Sequence, residues 1–100
     1  MSAYALGIYR IRDVSWRAAY REAQRNILPR HGGRYLVRSD GDWEMLEGKA
    51  PSATAFTILE FPSMDMARAW HRDPEYAPFI ELRRHHSELD LVLVDGSSSW

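Results

Sequence analysis

Six side chains in this sequence are of types that could hold or transform a small molecule: Arg38, Glu60, Trp70, His71, Tyr76 and Arg83. Glu60 stands inside an apolar run, between Leu59 and Phe61. A carboxylate held there needs a cation beside it, or it takes up a proton. Arg34 and Arg38, on the neighbouring predicted strand, are the candidate partners that would make Glu60 structural; otherwise it is a general base or a ligand anchor. Trp70, His71, Tyr76 and Arg83 lie in a stretch with helical spacing, where rings ordinarily form core. The same rings with a few convergent polar groups also suit a cleft for a small, partly aromatic ligand, placed between helices and sheet. None of the six is assigned a catalytic step.

Several other chemistries find no support. There are no cysteines, which excludes disulfides, thiolate zinc sites and cysteine nucleophiles. Four histidines occur, at 31, 71, 85 and 86. The adjacent pair diverges by about 100° on a helix, and no His-x-x-x-His or Glu-x-x-His spacing is present, so no metal is expected. His71 follows Trp70 without an axial-ligand motif, which disfavours haem, and no cofactor is expected. No Gly-x-Ser-x-Gly turn occurs, and Gly32-Gly33 leads into a strand rather than forming a phosphate loop. The basic run Arg83–His86 reads as a last helical turn.

Thirteen Lys and Arg against fourteen Asp and Glu give a formal net charge of −1. That balance removes the electrostatic case for nucleic acid or an anionic membrane surface. No apolar run approaches the ~18 residues of a membrane span. The start, Met1-Ser2-Ala3-Tyr4, lacks the pattern of a signal peptide, so the expected compartment is the cytoplasm.

One hundred residues, 45% of them hydrophobic, suit a single domain with a real core. The domain is expected over 1–96, with a short polar tail over 97–100. Tyr4–Ile11 favours a strand. Asp13 offers a cap for a helix whose inner stripe is Trp16, Ala19, Tyr20, Ala23 and Ile27, with Arg17, Arg21, Glu22, Gln24 and Arg25 on the other side. Pro29 and Gly32 end it. Arg34–Ser39 reads as a second strand, 42–51 as a long connection and Thr54–Phe61 as a third strand, stopped by Pro62. Ser63 caps a short helix with Met64, Ala67 and Trp70 inward. A second helical segment starts between Pro74 and Pro78, with Tyr76, Phe79, Ile80 and Arg83 on one face. Leu89–Val94 is the fourth strand.

The order is therefore βαββαβ. Two strand–helix–strand crossovers of one hand, with split pairing, place the helices on one face of a four-stranded antiparallel sheet. The first and fourth strands are nonetheless apolar on both alternating faces. A one-sided sheet should alternate apolar with polar, and a large exposed apolar face is rarely tolerated. The expected partner is a second copy, packed sheet against sheet. The alternative is a monomer with the 42–51 connection folded over the sheet.

The segments Gly32-Gly33-Arg34-Tyr35-Leu36-Val37-Arg38, Leu46-Glu47-Gly48, Leu59-Glu60-Phe61-Pro62-Ser63, Ala69-Trp70, Pro74-Glu75-Tyr76, Arg83 and Val94-Asp95-Gly96 run across nearly the whole chain. In them the chain resembles the bacterial family named domain of unknown function 1330, within the dimeric α+β barrel superfamily. The resemblance implies a ferredoxin-like fold and a homodimer, and no established activity. Ala55 stands where relatives often carry arginine, and Asp73 where they commonly carry serine. The fold hosts cofactor-free oxygenases, lactone isomerases, haem-binding enzymes and ligand-binding regulators. A small-molecule-binding dimer is the first expectation, with an oxygenase- or isomerase-like enzyme and a ligand-free structural dimer as alternatives.

Overall fold

Alternation along the strands sets the architecture. The computed structural model describes residues 2–49 and 51–96; the expected tail over 97–100 lies outside them. The elements run β1 (Ala3–Ile11), α1 (Arg17–Arg30), β2 (Arg34–Ser39), β3 (Ala55–Phe61), α2 (Met64–Arg72), α3 (Ala77–His86) and β4 (Ser87–Asp95). The strands form one sheet in the order β2-β3-β1-β4, and every pairing is antiparallel. This is the ferredoxin-like α+β fold, with β1 and β3 paired at the centre.

Ala3, Ala5 and Tyr9 of β1, with Ala55, Leu59 and Phe61 of β3, point toward the helices and are buried. Against them pack Tyr20, Ala23, Ile27 and Leu28 of α1, Ala67 and Trp70 of α2, Tyr76, which precedes α3, and Ile80 within it. The opposite face carries Leu6, Ile8, Val37, Ile58, Val92 and Val94. Val92 remains 53% exposed and Leu6 37% exposed, so the sheet is apolar on both sides and covered by helices on one. Trp43, from the connection after β2, does touch this open face, its ring 5.2 Å from that of Phe56.

Two local expectations change. Asp13 does not cap α1: its carboxylate accepts from Ser15 N at 3.0 Å and Ser15 Oγ at 2.5 Å, closing a turn, and the helix begins at Arg17. The inner stripe of α1 is rotated, because Gln24 is buried whereas Ala19 is exposed. Ser63 does cap α2, its Oγ accepting from Met66 N at 3.1 Å.

The pairing of β2 with β3 shifts register between Tyr35 and Val37. Tyr35 and Arg38 are three residues apart, and regular alternation would put them on opposite faces. The extra residue, Leu36, restores them to one face, opposite the inward Leu59 and Thr57.

Gly33 links α1 to β2 where the helix meets Phe61. A Cβ there would lie 2.5 Å from Phe61 Cε1 and 2.6 Å from Leu28 Cδ1. Gly33→Ala should therefore lower stability by about 1–3 kcal/mol through overpacking, read from the midpoint of urea unfolding.

Candidate functional site

A guanidinium lies inside the core. Arg83, on the inner face of α3, is 4% exposed. Its Nη1 donates to the Tyr20 and Tyr76 hydroxyl oxygens, both at 3.0 Å. The two hydroxyls hydrogen-bond each other. Gln24 Nε2 lies 3.2 Å from the first oxygen and 3.3 Å from the second, and Gln24 Oε1 accepts from Trp70 Nε1 at 3.1 Å. No carboxylate among the described residues pairs with Arg83, and its buried Nε has no partner. Burial works against the charge, but the oxygens of Tyr20 and Tyr76 outweigh it, so the guanidinium stays protonated. Burial, followed by the neighbouring Tyr20, pushes the Tyr9, Tyr35 and Tyr76 phenols up, which keeps these three hydroxyls neutral.

Tyr20 also borders a cavity of about 90 Å³ between α1 and the β2–β3 side of the sheet. Rings of Tyr9, Trp16, Tyr20 and Tyr35 line it, together with Arg17, Arg21, Arg38 and Asp40. Tyr9 stacks on Trp16 at 6.1 Å and 25°, and Trp16 meets Tyr20 edge-on at 5.2 Å. Arg38 sits 4.6 Å over the Tyr35 ring. Arg17 is held by Asp40 at 3.0 Å, whereas neither Arg21 nor Arg38 has a carboxylate partner among the described residues. Ala55 lines the same space, so this chain leaves room where the resemblance expects an arginine.

The six side chains singled out by sequence do not form one site. Arg38 lines the α1–sheet cavity; Tyr76 and Arg83 form its buried support. Trp70 and His71 border a second cavity, about 220 Å³, between α2 and strands β1 and β4. That one is larger but a weaker candidate. Its floor is Ala5, Leu91 and Leu93, and of its two arginines Arg68 is already paired with Asp65 at 2.9 Å. His71 is held below its usual range by burial and then by Arg83, Arg84 and Arg72.

Glu60 is misplaced by the expectation of a site between helices and sheet. It pairs opposite Tyr4 and Arg34, and since Leu59 and Phe61 face the helices, Glu60 faces away from them. Arg34 Nη2 lies 2.6 Å from Glu60 Oε1 and holds the carboxyl below its ordinary range. Glu60 is thus the ion-paired residue of the structural alternative.

Sequence reasoning missed Tyr9, Trp16, Tyr20 and Tyr35 as candidate site residues, because rings at strand and helix spacing read as core, and Gln24, because an amide on the charged side of the helix reads as surface. A signal existed in Gln24, one helical turn beyond Tyr20 and able to reach its hydroxyl. Asp73, the other departure from the family pattern, accepts from Glu75 N at 2.9 Å and lies 2.8 Å from His31 Nε2. Two of the four histidines, 31 and 86, are paired with aspartates in this way. Among the described residues no group of three metal-ligating side chains occurs, and no helix is long and apolar enough to cross a membrane.

Residues 2–97 match the family model described as domain of unknown function 1330. The chain belongs to that family. No curated protein matches it. Among solved structures it is similar to a protein of unknown function from Rhodopseudomonas palustris, with a TM-score of 0.76 and 17% identity over 98% of this chain and 84% of that one. It is also similar to a dimeric ferredoxin-like protein of unknown function from Jannaschia sp. (TM-score 0.65, 13% identity, 95% and 99% covered). A third is SnoaB, a cofactor-independent oxygenase from Streptomyces nogalater (TM-score 0.66, 11% identity, 98% and 95% covered). At these identities the likeness is one of fold, and the family member described here shares that fold with proteins described as dimeric.

Three carboxylates titrate below their ordinary values. Asp13 is brought down to about 2 by hydrogen bonds from Ser15 and then by His86; Asp73 and Glu60 are lowered by His31 and Arg34 respectively. A depressed folded-state value adds stability above the unfolded value, near 3.8 for the aspartates and 4.5 for Glu60, and that stability is lost as pH falls toward the folded value. Melting temperature should fall between about pH 4 and pH 2, and Asp13→Asn should flatten that acid limb.

Proposed function

We propose that this family member works as a homodimer, each chain of which takes up a small, partly aromatic molecule between α1 and the sheet. The observation that carries the ligand reading is the cavity walled by Tyr9, Trp16, Tyr20 and Tyr35. Its rings offer flat apolar surface, and polar groups converge on its edge, the combination typical of small-molecule sites. A volume of about 90 Å³ gives room for part of a small organic molecule rather than for a single water, and the open side lets the rest lie against Arg17, Arg21 and Arg38.

The homodimer reading is supported by how the open face of the sheet is laid out. Its centre is apolar. At one end Arg10 pairs with Glu88 and Asp90, both at 3.1 Å, and at the other Arg34 pairs with Glu60. An apolar middle with polar margins is the anatomy of a protein interface. The likeness to the dimeric Jannaschia protein points the same way.

Light scattering at micromolar concentration should give twice the 11.6 kDa chain mass, and Val92→Glu should shift it toward one chain. A monomeric wild type would refute the dimer. For the cavity, saturation-transfer NMR against a mixed set of charged and neutral one-ring aromatic fragments should find binders. Ala55→Leu, which fills the space, should weaken them by about tenfold or more while the amide spectrum stays folded. Fragments that bind Ala55→Leu as well as wild type would place binding elsewhere.

A further inference from the structure

We infer that the molecule taken up at this cavity is an anion, a carboxylate or enolate attached to an aromatic or other flat apolar body. This rests on the reading of the cavity as a ligand site and adds the charge of what enters it. Two independent observations carry it.

The first is the buried cation behind the cavity wall. Arg83 lies 5.7 Å from the centroid of the Tyr20 ring, and Tyr20 in turn lines the cavity. A guanidinium removed from water without a counter-charge is costly, and the usual remedy is a carboxylate in contact. Here the oxygens that touch it belong to Tyr20 and Tyr76. Hydroxyls solvate the cation but do not neutralise it. Its field therefore extends into the neighbouring space, where low-dielectric rings screen it poorly.

The second observation is the charge at the mouth. Arg17, Arg21 and Arg38 line it, and among the described residues Asp40 is the one carboxylate with them, already bound to Arg17. Arg21 and Arg38 face the opening with no carboxylate partner among the described residues. The chain as a whole is slightly acidic, at −1, so this excess is local to the cavity. Cations at the rim and a cation behind the wall both disfavour a positive ligand and attract a negative one.

The test compares isosteres that differ in charge: benzoate with benzamide, and phenylacetate with phenylacetamide, by NMR titration of the full-length protein at low salt. The acids should bind at least about tenfold more tightly than their amides, with the gap narrowing as salt is raised. Arg21→Gln with Arg38→Gln, both at exposed positions, should narrow the gap, weakening the acids several-fold more than the amides. Arg83→Met should act in the same direction, and the rim variants decide the matter if it fails to fold. Amides that bind as tightly as acids would overturn the anion inference while leaving the cavity reading standing. If neither class shifts resonances of Tyr9, Trp16 or Tyr35 while other fragments do, the inference fails alone. If no fragment of any kind shifts them, the cavity reading fails with it.

Discussion

Burying a guanidinium with no carboxylate beside it among the described residues is the constraint around which this core is built. Arg83 is reached by hydroxyls from two directions, Tyr20 on α1 and Tyr76 at the start of α3, and the amide of Gln24 ties these to Trp70 on α2. All three helices are thereby joined by polar contacts inside a layer that is otherwise apolar. Such a network does not maximise stability. Replacing a buried charge by a hydrophobic group of similar size is commonly neutral or favourable, so the cation is better understood by what it does to the space beside it. It also makes the network unforgiving, because a half-satisfied buried polar cluster is worse than an apolar one.

The sheet separates two tasks by side-chain direction alone. Toward the helices it carries Tyr9, Tyr35 and Arg38, and through them the cavity. Away from the helices it carries Leu6, Ile8, Ile58 and Val92, bounded at each end by ion pairs. Adjacent residues in β3 show how sharp the division is, since Leu59 belongs to the core and Glu60 to the other side. The irregularity at Leu36 is what lets β2 contribute both Tyr35 and Arg38 to one side. A regular strand would have sent one of them to the open face and removed either a wall or a cation from the cavity.

Much of this was legible in the sequence. Alternation in the strands, the helical spacing of Tyr76, Ile80 and Arg83, and the turn chemistry of Gly32, Pro62 and Ser63 were sufficient for the element order, and the doubly apolar strands were sufficient for an unpartnered face. The site was legible only in part. Period-2 reading assigns residues to two faces but does not say which face meets the helices unless the register is known, and Glu60 was assigned to the wrong one for that reason. A one-residue bulge leaves no mark that spacing can detect, so Arg38 and Tyr35 could not be put together. Gln24 reads as a surface residue by type, and only its burial against Tyr20 reveals its place in the network.

The most direct test is a crystal structure of the protein grown with 4-bromobenzoate, with the bromine located by its anomalous scattering. A peak between α1 and the β2–β3 strands, against the rings of Trp16 and Tyr35, is the predicted result. Bromine found only beside His71 in the α2–β4 cavity, or only on the open face of the sheet, would contradict the account.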